Sequence, residues 1–245
     1  MNKLAVCCFA NGHYLQGASV ALKSFRQNCS VNCDYILLTD DPSATPSHPW
    51  IILHVVDSDP WKNVATRQDL FSGVCLKYES LYLPYDRIVV LDSDVLVLSE
   101  VTPLLTNEYP GNDLIAVRDW GAAHYYQKKL FELNLDPEKI INAGVLISKG
   151  DALRTDWRAV FGDIPASSSY DESDQGYLNY YLQHVDANLD CFLEDVSYNY
   201  ALDPCYPPCH PKAIVHFTGV CKPWLPDCRH SIYRKLYYNL WNKMK

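Results

Sequence analysis

The stretch Arg87-Ile88-Val89-Val90-Leu91-Asp92-Ser93-Asp94-Val95-Leu96-Val97-Leu98 decides how the rest of the chain is read. Ile88 to Leu91 form an unbroken branched apolar run behind a single Arg, the pattern of a strand buried on both faces. Two carboxylates follow it at once. In an extended segment residues two apart point the same way, so Asp92 and Asp94 are expected to converge at the strand's carboxyl end. Uncompensated carboxylates repel, and a cation is their natural partner. Oxygen ligands suit Mg²⁺ or Mn²⁺, and a nearby imidazole favours Mn²⁺. Asp pairs also occur in solvated turns, so context carries the weight: a buried strand before the pair and an apolar stretch after it.

Outward from this stretch, short β-rich runs alternate with helical patterns. Leu4 to Phe9 is a strand, followed by Leu15, Ala18, Leu22 and Phe25 at helical spacing. Tyr35 to Leu38 runs into the turn Thr39-Asp40-Asp41-Pro42, and Ile51 to Val56 follows. Phe71, Val74, Cys75, Tyr78 and Leu81 share one helical face, and Leu114 to Val117, Gly144 to Ile147 and Ala213 to Phe217 read as further strands. The alternation predicts an α/β domain whose largely parallel sheet is covered on both faces. Ligands of such sheets bind beyond the strands' carboxyl ends, so polar residues directly after each strand are the candidates for function. At the end of the chain Ile232, Leu236 and Leu240 form a stripe with Tyr233, Tyr237 and Trp241 beside it, expected to be a helix docked on the core.

Composition bounds the function. The chain has 245 residues and a formal charge of −8, which fits a globular domain and disfavours a broad nucleic-acid or anionic-membrane surface. No apolar run approaches the ~18–20 residues of a membrane span, and the start, Met1 to Phe9, is too short an apolar stretch for a signal peptide. A soluble, cytoplasmic protein is the expectation. The 10 cysteines are read mostly as reduced, partly buried thiols. Cys205, Cys209, Cys221 and Cys228 cluster late, with His210 and His216 among them; C-x3-C, eleven residues, then C-x6-C is not a zinc spacing, and local disulfides fit it better.

The Ala213-Ile214-Val215 strand runs into His216-Phe217-Thr218-Gly219-Val220-Cys221-Lys222-Pro223-Trp224. His216 can supply an imidazole ligand, Gly219 permits close backbone approach, and Lys222 is a movable charge suited to phosphate oxygens. Asn142-Ala143-Gly144-Val145, Asp174-Gln175-Gly176-Tyr177-Leu178-Asn179 and Asn11-Gly12-His13-Tyr14 complete the set.

In that order, from about Leu4 to Trp224, these motifs resemble glycosyltransferase family 8, the retaining enzymes of the glycogenin and bacterial lipopolysaccharide galactosyltransferase type. The resemblance implies a single Rossmann-like GT-A domain over 1–245: a nucleotide-binding part over about 1–120, a sugar and acceptor part over about 121–225, and a C-terminal helix over about 230–244. It implies Asp92, Asp94 and His216 as Mn²⁺ ligands, with Mg²⁺ as the substitute, and a UDP-sugar donor. Gly219 and Lys222 match the loop closing over the phosphates. Cys8, Ala10, Asn11 and Tyr14 match the uracil and ribose region, with Tyr14 as the stacking ring, and Ser93 joins the donor-binding positions. Family members usually carry a hydroxyl residue near Ala10. Lys77 matches a basic residue reaching the diphosphate or donor sugar. Asp119, Asn142, Ala143, Asp174 and Gln175 match positions around the transferred sugar, and Asp174, Gln175 and Lys222 are the expected catalytic residues.

The implied activity is transfer of a hexose, glucose first and galactose second, to an acceptor hydroxyl with formation of an α-linkage. The acceptor is a glycan, a lipid-linked sugar or a protein. Self-glycosylation at Tyr206, seven residues after Asn199, is disfavoured because the loop from Tyr206 to His216 is shorter than glycogenin's. Two other readings compete. A haloacid-dehalogenase-type phosphatase places D-x-D near the start of its domain, with Thr or Val where Leu96 stands. A nucleotide-sugar-binding module without activity would not need intact metal ligands and Lys222.

Overall fold

The computed structural model describes residues 2–61, 75–109, 113–171, 173–184, 192–193, 196–201, 212–218, 222–224 and 232–244. Strand β1 (Leu4–Phe9) leads through a turn at Gly12–Tyr14 into helix α1 (Leu15–Gln27), then β2 (Asp34–Thr39) and β3 (Ile51–Val55). A 3₁₀ segment, Cys75–Tyr82, precedes β4 (Arg87–Leu91) and β5 (Val95–Val97). Next come β6 (Leu114–Arg118), α2 (Trp120–Tyr125), β7 (Ile141–Lys149), α3 (Trp157–Asp163) and α4 (Asp174–His184). The chain continues through β8 (Phe192–Leu193), β9 (Tyr200–Ala201) and β10 (Ile214–His216) to α5 (Ile232–Met244). Of the predicted helical face, Cys75, Tyr78 and Leu81 are buried on the 3₁₀ segment, while Phe71 and Val74 lie outside the described residues.

The main sheet has the order β3-β2-β1-β4-β7-β6-β8. Its pairings are parallel except those of β7, which runs antiparallel to both β4 and β6. Sequence pattern predicts a strand at residues 144–147 in a largely parallel sheet and gives this strand no direction. The reversal matters, because Asn142 and Ala143 at the start of β7 now lie at the edge where β1, β4 and β6 end. Both sheet faces are covered, as the continuous apolar runs require: Ala5, Cys7, Ile88 and Val90 join one cluster, and Val6, Cys8, Val89 and Leu91 join the other.

A small second sheet, β5-β10-β9, carries the decisive crossing. The chain leaves the main sheet at Leu91 and enters this one at Val95, so residues 92–94 form a turn rather than the extended segment predicted. Asp92 N–H donates to Gly144 O (2.8 Å), which fixes the start of that turn. Opposite it β10 pairs antiparallel to β5 with His216 facing Val95, and Phe217 N–H donates to Asp94 O (2.9 Å). Gly17 of α1 lies under the turn: an added Cβ would strike Ser93 O and the Trp224 ring, so only glycine lets the helix approach this closely. The end of α5 docks on the core: Trp241 is fully buried against Trp224 (centroids 5.8 Å) with Leu240 and Met244 beside it, while the side chains of Ile232, Tyr233, Leu236 and Tyr237 lie outside the described residues.

Candidate functional site

Asp92, Asp94 and His216 come together where β4, β5 and β10 meet, with one ligand atom of each within 4.8 Å of the others. His216 Nε2 lies 3.2 Å from Asp94 Oδ1 and 3.7 Å from Asp92 Oδ2. Asp94 and His216 are buried, whereas the Asp92 side chain keeps 30% of its surface open, so the cluster has a solvent side. Two carboxylates and one imidazole converging on one point, with an open face, suit Mn²⁺ or Mg²⁺, the nitrogen favouring Mn²⁺. The expected ligand set is thus brought together, though by a turn and a cross-sheet ladder.

Two ammonium groups flank the carboxylates. Lys222 Nζ donates to Asp94 Oδ2 and to Phe217 O (3.1 Å). Burial alone pushes the Asp94 carboxyl up, but Lys222 and His216 beside it prevail and hold it well below the usual range. Burial likewise works against the charged form of Lys222, and Asp94 raises its pKa regardless. Lys77 is buried and gives its ammonium hydrogens to Asp92 Oδ1 (2.9 Å), Asp174 Oδ2 (2.9 Å) and Ala143 O (3.0 Å). An ammonium has three such hydrogens. The structure therefore directs Lys77 at protein acceptors rather than outward toward a donor, making it a strut between Asp92 and Asp174. Removing one partner of such a buried pair costs about 3–5 kcal/mol.

Asp174, at the start of α4, takes a second bond from Tyr78 Oη (3.0 Å). Burial pushes its carboxyl up to about 6, with Lys77 opposing and Asp92 adding to the rise. The next residue, Gln175, is held at both ends of its amide. Oε1 accepts from Ala143 N–H (2.9 Å), and Nε2 donates to Asp119 Oδ2 (2.7 Å) and Tyr170 Oη (2.8 Å). Asp119 ends β6 and caps α2 through Ala122 N–H (2.8 Å), while Asn142 Nδ2 donates to its other face (3.1 Å). Asp119, Asn142, Ala143, Asp174 and Gln175 are thus one connected polar wall beside the carboxylate cluster.

At the end of β1 the expectations are met unevenly. Ala10 N–H is spent on Leu38 O (3.0 Å) and Asn11 Nδ2 donates to Asp40 Oδ1 (3.1 Å), so both lie at the sheet edge. Cys8 is fully buried in the core, and burial, with the charges of Asp92 and Asp94 adding to it, raises its thiol well above the ordinary value. Tyr14 stands edge-on to Trp224 (5.5 Å), joining the first-strand exit to the 222–224 segment. Ser93 sits half-buried in the acidic turn. Gly219, Tyr206, His210 and Cys205, Cys209, Cys221 and Cys228 lie outside the described residues.

Gly144, quoted in the sequence only as part of a motif, and Tyr170 and Asn199, to which sequence reasoning gave no place in the site, complete it. Gly144 runs directly under the His216 ring, so close that a Cβ there would overlap it. Tyr170 steadies Gln175. Asn199, fully buried, faces His216 Nδ1 with its Oδ1 (3.1 Å) and Asn142 Oδ1 with its Nδ2 (2.8 Å). Nothing in local pattern marks an asparagine after a tyrosine; only the β9–β10 pairing brings it here.

A sheet edge with an acidic turn, a histidine crossing over to it and a polar wall alongside defines the GT-A class of fold. Similarity to known proteins agrees. A model described as glycosyl transferase family 8 matches residues 76–228, and the chain belongs to that family. It is 26% identical over 206 residues to the glycogenin of Komagataella phaffii (strain GS115 / ATCC 20864), covering 78% of this chain and 44% of that one. The chain therefore spans less than half of that relative's length. Among solved structures, the galactosyltransferase LgtC in complex with donor and acceptor sugar analogs superposes with a TM-score of 0.71 at 20% identity, over 98% of this chain and 95% of that one. GlyE of Streptococcus pneumoniae TIGR4 gives 0.65 at 19%, over 99% of this chain and 62% of that one. Among the described residues no helix is long and apolar enough to cross a membrane.

Proposed function

We propose that the protein transfers a hexose, glucose first and galactose second, from a UDP-sugar to an acceptor hydroxyl with retention, in a reaction that depends on Mn²⁺ or, in its place, Mg²⁺. The observation carrying this reading is the convergence of Asp92, Asp94 and His216 beside the polar wall of Asp119, Asn142 and Gln175. Asp92, Asp94 and Nε2 of His216 would hold the cation, which supplies charge stabilisation at the departing diphosphate.

The chain's own groups do the rest. Lys222, paired with Asp94 in the free protein, is the flexible cation that exchanges to phosphate oxygens as negative charge grows on the leaving group. Asp119 and Asn142 offer acceptors and donors for sugar hydroxyls. Gln175, fixed at both ends, presents a neutral amide to the sugar. A neutral amide is a poor nucleophile, so retention by same-face attack of the acceptor is favoured over a double displacement. Asp174 and Lys77 keep Asp92 in place from behind. The acceptor is a glycan, a lipid-linked sugar or a protein other than this chain.

Incubation with a panel of UDP- and GDP-sugars and Mn²⁺, scoring nucleotide release and thermal shift, tests the proposal. UDP release from UDP-glucose or UDP-galactose is expected. Binding of these donors without any hydrolysis or transfer would favour a nucleotide-sugar-binding module instead.

A further inference from the structure

To hold a cation, His216 must present a lone pair, rather than a hydrogen, from Nε2. A neutral imidazole has two tautomers, and only the one with its hydrogen on Nδ1 can ligate through Nε2. It is selected by a chain of buried amides whose orientations are forced one after another.

Its starting points are backbone N–H groups, whose polarity is not in doubt. Gly144 N–H donates to Asn142 Oδ1 (2.9 Å), so the oxygen of that amide faces Gly144. Its nitrogen then faces the acceptor-only carboxylate of Asp119 (3.1 Å). Asp119 itself is held by Ala122 N–H (2.8 Å) and by Gln175 Nε2 (2.7 Å). Gln175 cannot turn over either, because Ala143 N–H occupies its Oε1 (2.9 Å). With Asn142 Oδ1 fixed as an acceptor, the Asn199 atom 2.8 Å away must be the donor Nδ2. That turns Asn199 Oδ1 toward His216 Nδ1 at 3.1 Å. An acceptor there requires a hydrogen on Nδ1, which makes Nε2, pointing at Asp92 and Asp94, the nitrogen that can give a lone pair to a cation.

We infer that Asn199 is a positioning residue that fixes the Nδ1–H tautomer of His216, and that the Asp119–Asn142–Asn199 chain of hydrogen bonds thereby prepares the cation site from the sugar side. This rests on the reading under Proposed function that Asp92, Asp94 and His216 hold a divalent cation. Asparagine is suited to the place because its one planar group carries a donor and an acceptor at fixed separation. The residue is enclosed and tied at Asn142 and His216, and Ser197 O accepts Ala213 N–H (3.0 Å) to hold its segment against β10. Partners of this kind orient ligating histidines, and their loss typically weakens metal binding 10–100-fold.

The experiment compares wild type, Asn199→Ala and Asn199→Asp. Free Mn²⁺ is measured by electron paramagnetic resonance during titration without donor. The tautomer of His216 is read from long-range ¹H–¹⁵N spectra of metal-free protein labelled at histidine, assigned with His216→Gln. The wild type should show hydrogen on Nδ1. Asn199→Ala should bind Mn²⁺ about 10–100-fold more weakly and gain the Nε2–H form. Asn199→Asp keeps an oxygen opposite Nδ1 but sets its other oxygen against the acceptor Asn142 Oδ1, so it should keep the Nδ1–H tautomer and hold Mn²⁺ more tightly than Asn199→Ala. A residue needed only for packing or for pinning Asn142 would make Asp as damaging as Ala, which would overturn the inference. So would a wild-type His216 with hydrogen on Nε2 and none on Nδ1, or Asn199→Ala with unchanged affinity. If Asn199→Ala does not fold, the wild-type spectrum and Asn199→Asp still decide. Absence of Mn²⁺ binding by wild type would instead remove the underlying reading, and the spectrum would judge the tautomer by itself.

Discussion

Replacing Gly144 by alanine should empty the cation site without unfolding the protein. The added Cβ would lie inside 3.0 Å of both Cε1 and Nδ1 of His216 and at 3.0 Å from Asn142 Oδ1. Ordinary carbon contacts need about 3.5–4.0 Å, so the imidazole must retreat by roughly 1.5 Å. Ligand distances at a metal tolerate only about 0.2 Å, and the ring has no slack because Nδ1 is tied to Asn199. The strand cannot yield easily either, since Gly144 O holds Asp92 N–H and its own N–H holds Asn142. Overpacking should cost about 1–3 kcal/mol of stability, small enough to leave a folded domain. Loss of His216 as a ligand should lower Mn²⁺ affinity about 10²-fold, or about 2.8 kcal/mol. Calorimetric titration of Mn²⁺ in the presence of UDP measures the affinity, and urea unfolding measures the stability. A folded Gly144→Ala that binds Mn²⁺ like wild type would refute the placement of His216 in the site.

Lys222→Ala should lower kcat about 10²-fold with a smaller change in the KM for the donor, because the contact with phosphate strengthens as the leaving group departs; an effect on KM alone would make Lys222 a uniform-binding residue. Activity should have an acid limb near pH 6, where Asp174 takes up a proton and releases Lys77. The Tyr78 hydroxyl donates to the ionised carboxylate and so favours it, hence Tyr78→Phe should move that limb to higher pH; a limb that stays put or falls would contradict the role given to Asp174. Intact mass after incubation with UDP-glucose and Mn²⁺ should not change, and added hexose that disappears in Tyr206→Phe would show that the chain is its own acceptor.

What the sequence made legible follows from how local each signal is. Residues 88–91 could be read as a buried strand because four branched apolar side chains leave few alternatives, and β4 has the predicted bounds. The end of the strand at Ala213 to Phe217 was equally plain and marked His216, whereas Ala10, Asn11 and Asp119 rested on the family resemblance. Strand direction was not legible. β7 carries the same buried pattern whichever way it runs, and its reversal is what brings Asn142 and Ala143 to the functional edge. The convergence of Asp92 and Asp94 was anticipated for a reason that does not apply, since the chain changes sheets there and turns. Asn199 and the inward aim of Lys77 depend on pairings between distant segments, which no window of sequence contains, whereas Tyr170 lies five residues before the Gln175 it steadies and carries no pattern that marks it. Cys8 belongs to the quoted first-strand exit, and the pleat turns its side chain into the core.

The measurement that bears most directly on the central claim is UDP release from UDP-glucose and UDP-galactose, with an acceptor screen, by wild type and by Asp92→Asn/Asp94→Asn, each with Mn²⁺ and with EDTA. Release and transfer should occur only in wild type with Mn²⁺, while the doubly substituted protein stays folded. Full activity in EDTA, or in Asp92→Asn/Asp94→Asn, would contradict a catalytic site built on Asp92, Asp94 and His216.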